Sequence, residues 1–560
     1  MSSELRRRWS ASAVGGLGFA LALAAFVRLG LLWSVDLQGA FGPDAPGAIA
    51  AAMLDPLGHP YPLHPIAIGL LVPLCGGDPV QAALMVSLLA GFAVVGACWS
   101  MGRMLAGDYG GQAAGAVAAT APLLSFTSLL KGGDALAIAL AAWGLAVTWE
   151  GARRSETDDM AAARRLVLGP ALIGLSAWAK PIALPLGLCV VVVLVVCHRS
   201  AWMWLFCGVL AGLVLASPML APLVRPIPEL GLLASWWQPG PPALLSDWLG
   251  LPARGFSALL QVEVVAPWTM GFALLLLGVL GAGTRGVHKP ERLVLFVLGG
   301  LALVGTGAIL GDRLQARYLA AASVPWTVLT GVALVPRRLR SPEARLLRRR
   351  WFDTLALSVV LTLFLISSLR VWEGIGLMRA QEEGTGAVRG FLVADPELAM
   401  VPTREMADST ICGSLELDRL ATRIVEEAPP GAVVAMVPLR DGRGWHMIGP
   451  LRWQRPDIEV LELDGNCCPN PDRCGSRLLH ALSTTGGVIL GPLETAGRCE
   501  TGATDVFYEP LASAIDGLLL ERDLWYGSRW VAKIEDVPAH GRHVCERIGG
   551  RRPVAPARTR

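Results

Sequence analysis

The loop that follows the first apolar segment carries the side chains best suited to acid–base chemistry. Between positions 34 and 65 it has no lysine or arginine, and its ionisable side chains are Asp36, Asp44, Asp55, His59 and His64. A carboxylate can accept the proton of a hydroxyl nucleophile, so Asp44 is a candidate general base. Asp44 also precedes the alanine-rich stretch 45–54, and the loop by itself favours the simpler interpretation of a helix N-cap.

Further polar residues lie at the boundaries of apolar segments, namely Lys131, Asp134, Lys180, Arg313, Arg317 and Tyr318. Ionisable groups at such positions are costly unless they are paired or functional, although long side chains can also extend to the membrane surface. Several cations that face an acidic loop fit an anionic lipid headgroup, such as a phosphate or pyrophosphate. Arg28, inside the first apolar segment, fits a headgroup contact and extension to the surface equally well.

The composition indicates which elements hold these residues. Of the 560 residues, 53% are hydrophobic and 17% are charged, whereas an average soluble domain has about 25% charged residues. This excludes a disordered chain and favours a polytopic membrane protein, and the net charge of +3 gives no sign of nucleic-acid binding.

Apolar runs long enough to cross a bilayer predict an α-helical domain of about 11 transmembrane helices. The predicted spans are 11–33, 80–101, 111–130, 133–150, 166–180, 181–197, 201–223, 266–283, 293–310, 318–335 and 351–371. A shorter apolar stretch at 65–75 predicts a half-span or an interfacial helix.

The character of the chain changes after residue 372, so we predict a transmembrane domain at 1–372 and a soluble domain at 373–560. Apolar runs at 432–437, 458–463 and 487–490 predict strands. Helical candidates between the strands indicate a small α/β domain. Six cysteines in this region favour disulfides over a zinc site.

Lysine and arginine are distributed unevenly between the predicted loops. With the N-terminus in the cytoplasm, the inside loops carry most of the basic residues, including the dense cluster at 337–350. The positive-inside rule then places the C-terminal domain outside the cytoplasm and the chain in the plasma, or inner, membrane.

The order of four short motifs resembles the GT-C superfamily of integral-membrane glycosyltransferases. The motifs are GHPYPLHP at 58–65, GDALAIAL at 133–140, LIGLSAWAKP at 172–181 and ARYLAAASVP at 316–325. They resemble most the group that contains protein mannosyltransferases, the lipid A aminoarabinose transferase and the lipopolysaccharide-core galacturonosyltransferases. The resemblance covers about residues 10–372.

The resemblance implies a sugar donor on a polyprenyl phosphate and a glycan, lipid or protein acceptor at the outer face of the membrane. The resemblance implies transfer with inversion. Asp44 matches the family's base best, and Asp36 is the reserve. Arg317, Lys180, Tyr318 and Lys131 would bind the donor phosphate. Asp134, His59 and His64 would support the site or lie beside a metal, and the sequence leaves a requirement for a divalent metal open.

Two other functions remain open from the sequence alone. A transporter or flippase of lipid-linked sugars would place ionisable residues at mid-membrane and pair broken helices between related halves. The third candidate is a non-catalytic scaffold of the cell envelope.

Overall fold

A computed structural model describes the backbone mainly over residues 3–34, 45–155, 159–184, 202–224 and 320–335. In the C-terminal region it describes residues 453–462, four further stretches of strand and a few single positions. Contacts divide the chain into two compact units. One consists of 1–37 and 56–406, and the other of 38–55 and 407–560.

The first unit begins with helix α1, Ser3–Ser34, which contains the first predicted span. Helix α3, Leu63–Leu71, continues as a 3-10 turn, Val72–Cys75. These 13 apolar residues are too few to cross a bilayer as a helix, as expected for a half-span or interfacial helix. The short helix α2, Ala45–Leu54, belongs to the second unit.

Helix α4, Pro79–Thr120, is two antiparallel arms joined at Ala106 and Gly107, where the backbone leaves helical geometry. Gly107 has φ of +73°, which a residue with a Cβ rarely adopts. The arms pack closely at glycines, because a Cβ on Gly102 would lie 2.4 Å from the carbonyl oxygen of Gly110. The first arm contains the predicted span at 80–101, and the second contains the start of the span at 111–130.

The second arm ends earlier than the hydropathy predicts. Ala121 has an extended ψ of 119°, and Pro122 then begins a separate short helix α5, Pro122–Thr127. Proline has no N–H to continue the hydrogen-bond ladder, so the predicted span at 111–130 is broken near its middle. The chain from Ser128 to Gly133 is not helical, yet every residue in it is buried.

Two long helices follow, α6, Asp134–Arg154, and α7, Asp159–Ala179. They are antiparallel, since Gly144 lies against Gly169 and Gly151 lies against Ala162. Helix α8, Trp202–Val224, instead runs parallel to α7. The residue numbers of the glycine contacts between the two helices increase in the same direction along both. This is the arrangement that an additional span at 181–197 would produce, and most of that span lies outside the described residues.

Helix α9, Ala320–Ala333, packs through Gly331 against Ala114 of the second arm of α4. Within the described residues, four helices are long and apolar enough to cross a membrane, with α4 counted once. The protein is a multi-pass membrane protein. The predicted spans at 266–283, 293–310 and 351–371 lie wholly or mostly outside the described residues, so the total of about 11 stays a prediction.

The second unit contains a five-stranded sheet of order β2-β1-β3-β5-β4. Its strands are β1, Val433–Met436; β2, Glu459–Glu462; β3, Val488–Gly491; β4, Leu520–Trp525; and β5, Arg529–Ile534. Strand β1 is parallel to both of its neighbours, and β5 is antiparallel to both of its own. The first three strands coincide with the three predicted runs, and the domain boundary at 372 stays a prediction.

Candidate functional site

A buried ion pair joins the start of α6 to the end of α7. The Lys180 ammonium lies 3.0 Å from Oδ1 and 3.1 Å from Oδ2 of Asp134. The Asp134 side chain is 0% exposed and that of Lys180 is 9% exposed. Asp134 is the first residue of α6, where the helix dipole favours a negative charge. Two residues that the sequence assigned to the same membrane face are therefore direct partners.

The ion pair depends on very close packing of the two helices just before it. Gly133 lies against the backbone of Ala179, and a Cβ on Gly133 would be 2.5 Å from the Ala179 carbonyl oxygen. The same Cβ position is 3.4 Å from Cβ of His64, which is 2% exposed at the start of α3. Three segments distant in sequence thus meet at Gly133, and His64 lies at their junction.

Lys131 is the second cation of this region. Its side chain is 1% exposed, in the buried segment 128–133. Nearby, the Ser87 hydroxyl on the first arm of α4 donates to the carbonyl oxygen of Gly132 at 3.5 Å. Irregular backbone at membrane depth is tolerated where it is buried in protein or lines a cavity, and this segment is buried throughout.

Arg28 on α1 is also completely buried rather than extended to the surface. Its Nε donates to the Ser128 hydroxyl at 2.8 Å, and its Nη1 donates to the Ala119 carbonyl oxygen at 3.2 Å. The Phe92 ring centroid lies 5.9 Å from the guanidinium carbon. Among the described residues, no acidic side chain forms an ion pair with Arg28.

His59 lies in the turn that precedes α3. Its Nδ1 accepts a hydrogen bond from the backbone N–H of Tyr61 at 3.0 Å, and the two rings meet edge to face. Its side chain is half-buried. The local hydrogen bond indicates that His59 shapes the proline-rich turn.

The remaining predicted site residues lie outside the described part of the chain. They are the candidate bases Asp36 and Asp44 and the phosphate-binding candidates Arg317 and Tyr318. Among the residues that are described, no group of three or more His, Cys, Asp or Glu could hold a metal ion. The metal-adjacent role that the resemblance assigned to Asp134, His59 and His64 stays a prediction.

The opposite ends of these helices have a different character. Arg103 pairs with Asp108 at the turn of α4, and Glu150 pairs with Arg154 and Arg165 at the turn between α6 and α7. These side chains are half-buried or exposed. Helix α6 rises about 30 Å over its 21 residues. The buried ion pair and the arginine-rich turns thus lie about one bilayer thickness apart.

No protein-family model matches this sequence, and no curated protein sequence matches it significantly. Solved structures do resemble it. The crystal structure of ArnT from Cupriavidus metallidurans bound to undecaprenyl phosphate matches with a TM-score of 0.56 and 16% identity, over 93% of this chain and 99% of that chain. The apo state of the same protein matches with a TM-score of 0.54 and 16% identity, over 93% and 98% of the two chains.

ArnT is a lipid A aminoarabinose transferase with the GT-C fold. The present chain has the GT-C fold. An oligosaccharyltransferase from Archaeoglobus fulgidus, also a GT-C protein, matches with a TM-score of 0.43 and 12% identity, over 85% of this chain and 67% of that chain. The fold that the four motifs predicted is confirmed by the ArnT structures.

Sequence reasoning missed two residues of this region, Ser128 and Gly91. Ser128 receives the hydrogen bond from Arg28, and a Cβ on Gly91 would lie 2.4 Å from Cβ of Ser128. The signal for Ser128 was the polar cluster Ser125, Thr127 and Ser128 within an otherwise apolar run. Gly91 offered no such signal, because a glycine in a membrane helix is common.

Proposed function

We propose that this protein is a membrane glycosyltransferase that takes a sugar from a polyprenyl-phosphate donor. The observation that carries the proposal is the match to ArnT with undecaprenyl phosphate bound, which extends over 93% of this chain. The acceptor would be a glycan, a lipid or a protein of the cell envelope. The buried Asp134–Lys180 pair lies at helix ends rather than at mid-membrane, which favours transfer over the transport alternative.

The orientation of the chain follows from where its charges lie. Arg103, Arg153, Arg154 and Arg165 lie at the same end of the helices. The positive-inside rule places this end in the cytoplasm. The end that carries Lys131, Asp134 and Lys180 then faces the outside, where a polyprenyl-linked sugar would be presented. We therefore propose an inner-membrane location, with the N-terminus inside and the C-terminal domain outside.

The proposed reaction is a displacement at the anomeric carbon. The oxygen of an acceptor hydroxyl attacks this carbon and the bond to the phosphate oxygen breaks, so the anomeric configuration inverts. The hydroxyl proton passes to a carboxylate of the first outer loop, for which Asp44 is the first candidate and Asp36 the second. Polyprenyl phosphate departs as an anion, which nearby cations stabilise. We assign that role to Lys131, Lys180 and Arg317, with Tyr318 as a hydrogen-bond donor.

The Asp134–Lys180 pair fits this role in one specific way. An ammonium with no counter-charge would be costly at this buried position, and Asp134 removes that cost. The same contact holds the ammonium at the outer end of α7. Asp134 would therefore orient a phosphate-binding lysine, and His64 would pack behind it.

The test is transfer by the full-length protein reconstituted in lipid nanodiscs. The substrates are undecaprenyl-phosphate sugars of several kinds, together with an envelope fraction that supplies acceptors, and the readout is covalent sugar in the product. Asp44→Asn should lower the turnover rate by about 10²-fold or more, because a positioned general base contributes at least that factor. Asp55→Asn, in the same loop, is the matched control and should retain activity.

Two results would contradict the proposal. Full activity in both Asp44→Asn and Asp36→Asn would remove the loop carboxylate from the mechanism. Movement of the lipid-linked sugar across the bilayer without any covalent product would instead favour the transporter.

A further inference from the structure

Arg28 joins helix α1 to both sides of the break between α4 and α5. Its Nη1 reaches the carbonyl oxygen of Ala119, the next-to-last residue of α4. Its Nε reaches the hydroxyl of Ser128, immediately after α5. Ser128 in turn donates to the Ser125 carbonyl oxygen at 2.6 Å. One planar guanidinium therefore bonds to the end of α4 and to the residue that directly follows α5.

The break creates an acceptor that needs such a donor. In a continuous helix the Ala119 carbonyl would accept from the N–H of Leu123. The extended ψ of Ala121 ends the helix, and Leu123 becomes one of the first residues of α5, whose N–H groups have no partner within the helix. Arg28 and the Ser125 hydroxyl, each 3.2 Å away, donate to this carbonyl instead.

The contact with Ser128 leads directly to the candidate site. Ser128 begins the buried, non-helical segment 128–133, which contains Lys131 and ends one residue before Asp134. Gly91 leaves the space for this contact, since a Cβ there would lie 3.1 Å from Nε of Arg28. The Asp134–Lys180 ion pair holds the far end of the segment, and Arg28 holds its beginning.

We propose that Arg28 is a positioning residue that fixes the segment 128–133, and with it Lys131, for the reaction at the candidate site. The reaction itself rests on the proposed function. The role depends on the shape of the side chain more than on its charge, because its described polar contacts are a hydroxyl and backbone carbonyls. An arginine presents donors in two directions from one rigid plane, whereas a lysine presents its donors from a single ammonium on a flexible stem and does not reproduce this geometry.

The test compares Arg28→Lys with Arg153→Lys in the full-length protein in nanodiscs. Arg153 is a matched control, because its Nη1 donates to the Met104 carbonyl oxygen at the other break of α4. Hydrogen–deuterium exchange reports local opening of the backbone. Arg28→Lys should increase exchange in the peptide that covers 128–133, and Arg153→Lys should not. Sugar transfer is measured on the same samples.

For transfer, Arg28→Lys should lower kcat about tenfold with the same thermal unfolding midpoint, because small displacements of a site residue have large kinetic costs. Ser128→Ala is the milder variant and removes only the hydroxyl that Nε contacts. Its loss should be smaller, and combined with Arg28→Lys it should add little, since both changes remove the same contact. Arg153→Lys should leave kcat unchanged.

The two readouts separate the proposals. An unchanged exchange rate at 128–133 in Arg28→Lys would overturn the positioning role. Faster exchange of this segment with an unchanged kcat would overturn it as well. If the wild-type protein transfers no sugar at all, the proposed function fails. The exchange data then decide by themselves whether Arg28 fixes the segment.

Discussion

The two breaks of the α4–α5 region lie at opposite ends of the helices, and each has an arginine that donates to a backbone carbonyl, but in different surroundings. At Ala106–Gly107, Arg153 caps a free carbonyl at an exposed turn, and Arg103 pairs with Asp108. At Ala121–Pro122, Arg28 caps a free carbonyl deep in the protein. A turn at the membrane surface has water as an alternative partner, whereas a buried break does not.

This difference indicates at which end of the helices the charged side chains carry the larger free-energy cost. Exposed ion pairs contribute about 0–1 kcal/mol to stability. Removing one partner of a buried pair costs about 3–5 kcal/mol, because the other charge is left uncompensated. Among the described ion pairs, the Asp134–Lys180 pair is buried, whereas the pairs at the arginine-rich end are half-buried or exposed. A chain keeps such costly groups at an end where they serve a purpose beyond stability.

We expect the largest effect of a substitution that tests this difference between the two ends at the buried ion pair. Lys180→Met should destabilise the protein by about 3 kcal/mol or more, since it removes the ammonium that lies 3.0 Å from the buried Asp134 carboxylate. The double variant Asp134→Leu with Lys180→Met should recover most of that stability but no transfer activity. Thermal unfolding in detergent and the transfer assay measure the two effects.

Recovery of activity in the double variant would show that the pair is only structural. Equal stability of Lys180→Met and wild type would show that the carboxylate has another partner sufficient to compensate it.

The next effect concerns the close packing beside the pair. Gly133→Ala should destabilise the protein by about 1–3 kcal/mol, because its Cβ would lie 2.5 Å from the Ala179 carbonyl oxygen. Transfer should fall as well, since Gly133 and Ala179 immediately precede the two charged residues. Gly30→Ala is the control, with no atom within 4 Å of the added Cβ. It should be neutral or slightly stabilising.

If Gly133→Ala lowers stability without lowering transfer, the packing is needed for folding alone. Equal effects of the two alanine variants would contradict the close approach of α6 and α7.

Several elements could be predicted from the sequence because each is a local pattern. The predicted span at 201–223 matches α8, Trp202–Val224, since a long apolar run is by itself a strong signal for a transmembrane helix. The run at 458–463 contains β2, Glu459–Glu462, for the analogous reason. The four motifs predicted the GT-C fold because their order reflects the whole transmembrane domain.

The parts that could not be predicted depend on contacts between distant residues. Hydropathy averaged over 111–130 is high, so Pro122 was not recognised as the start of a new helix. Arg28 and Ser128 are 100 residues apart, and Asp134 and Lys180 are 46 residues apart. A sequence can assign such residues to one face of the membrane, but only packing of the helices shows which of them are partners.

The smallest expected effect lies at the arginine-rich end. The Arg103–Asp108 pair has side chains that are 45% and 18% exposed, and Arg103 also stacks on Trp99 with its guanidinium carbon 5.3 Å from the ring centroid. Arg103→Gln should cost at most about 1 kcal/mol, and a double-mutant cycle with Asp108→Asn should give a coupling of similar size or less. Transfer by both variants should equal that of the wild type, because the site is about 30 Å away along α6. A coupling as large as that of the Asp134–Lys180 pair would contradict the difference between the two ends, since it would mean that exposure does not set the cost of these charges.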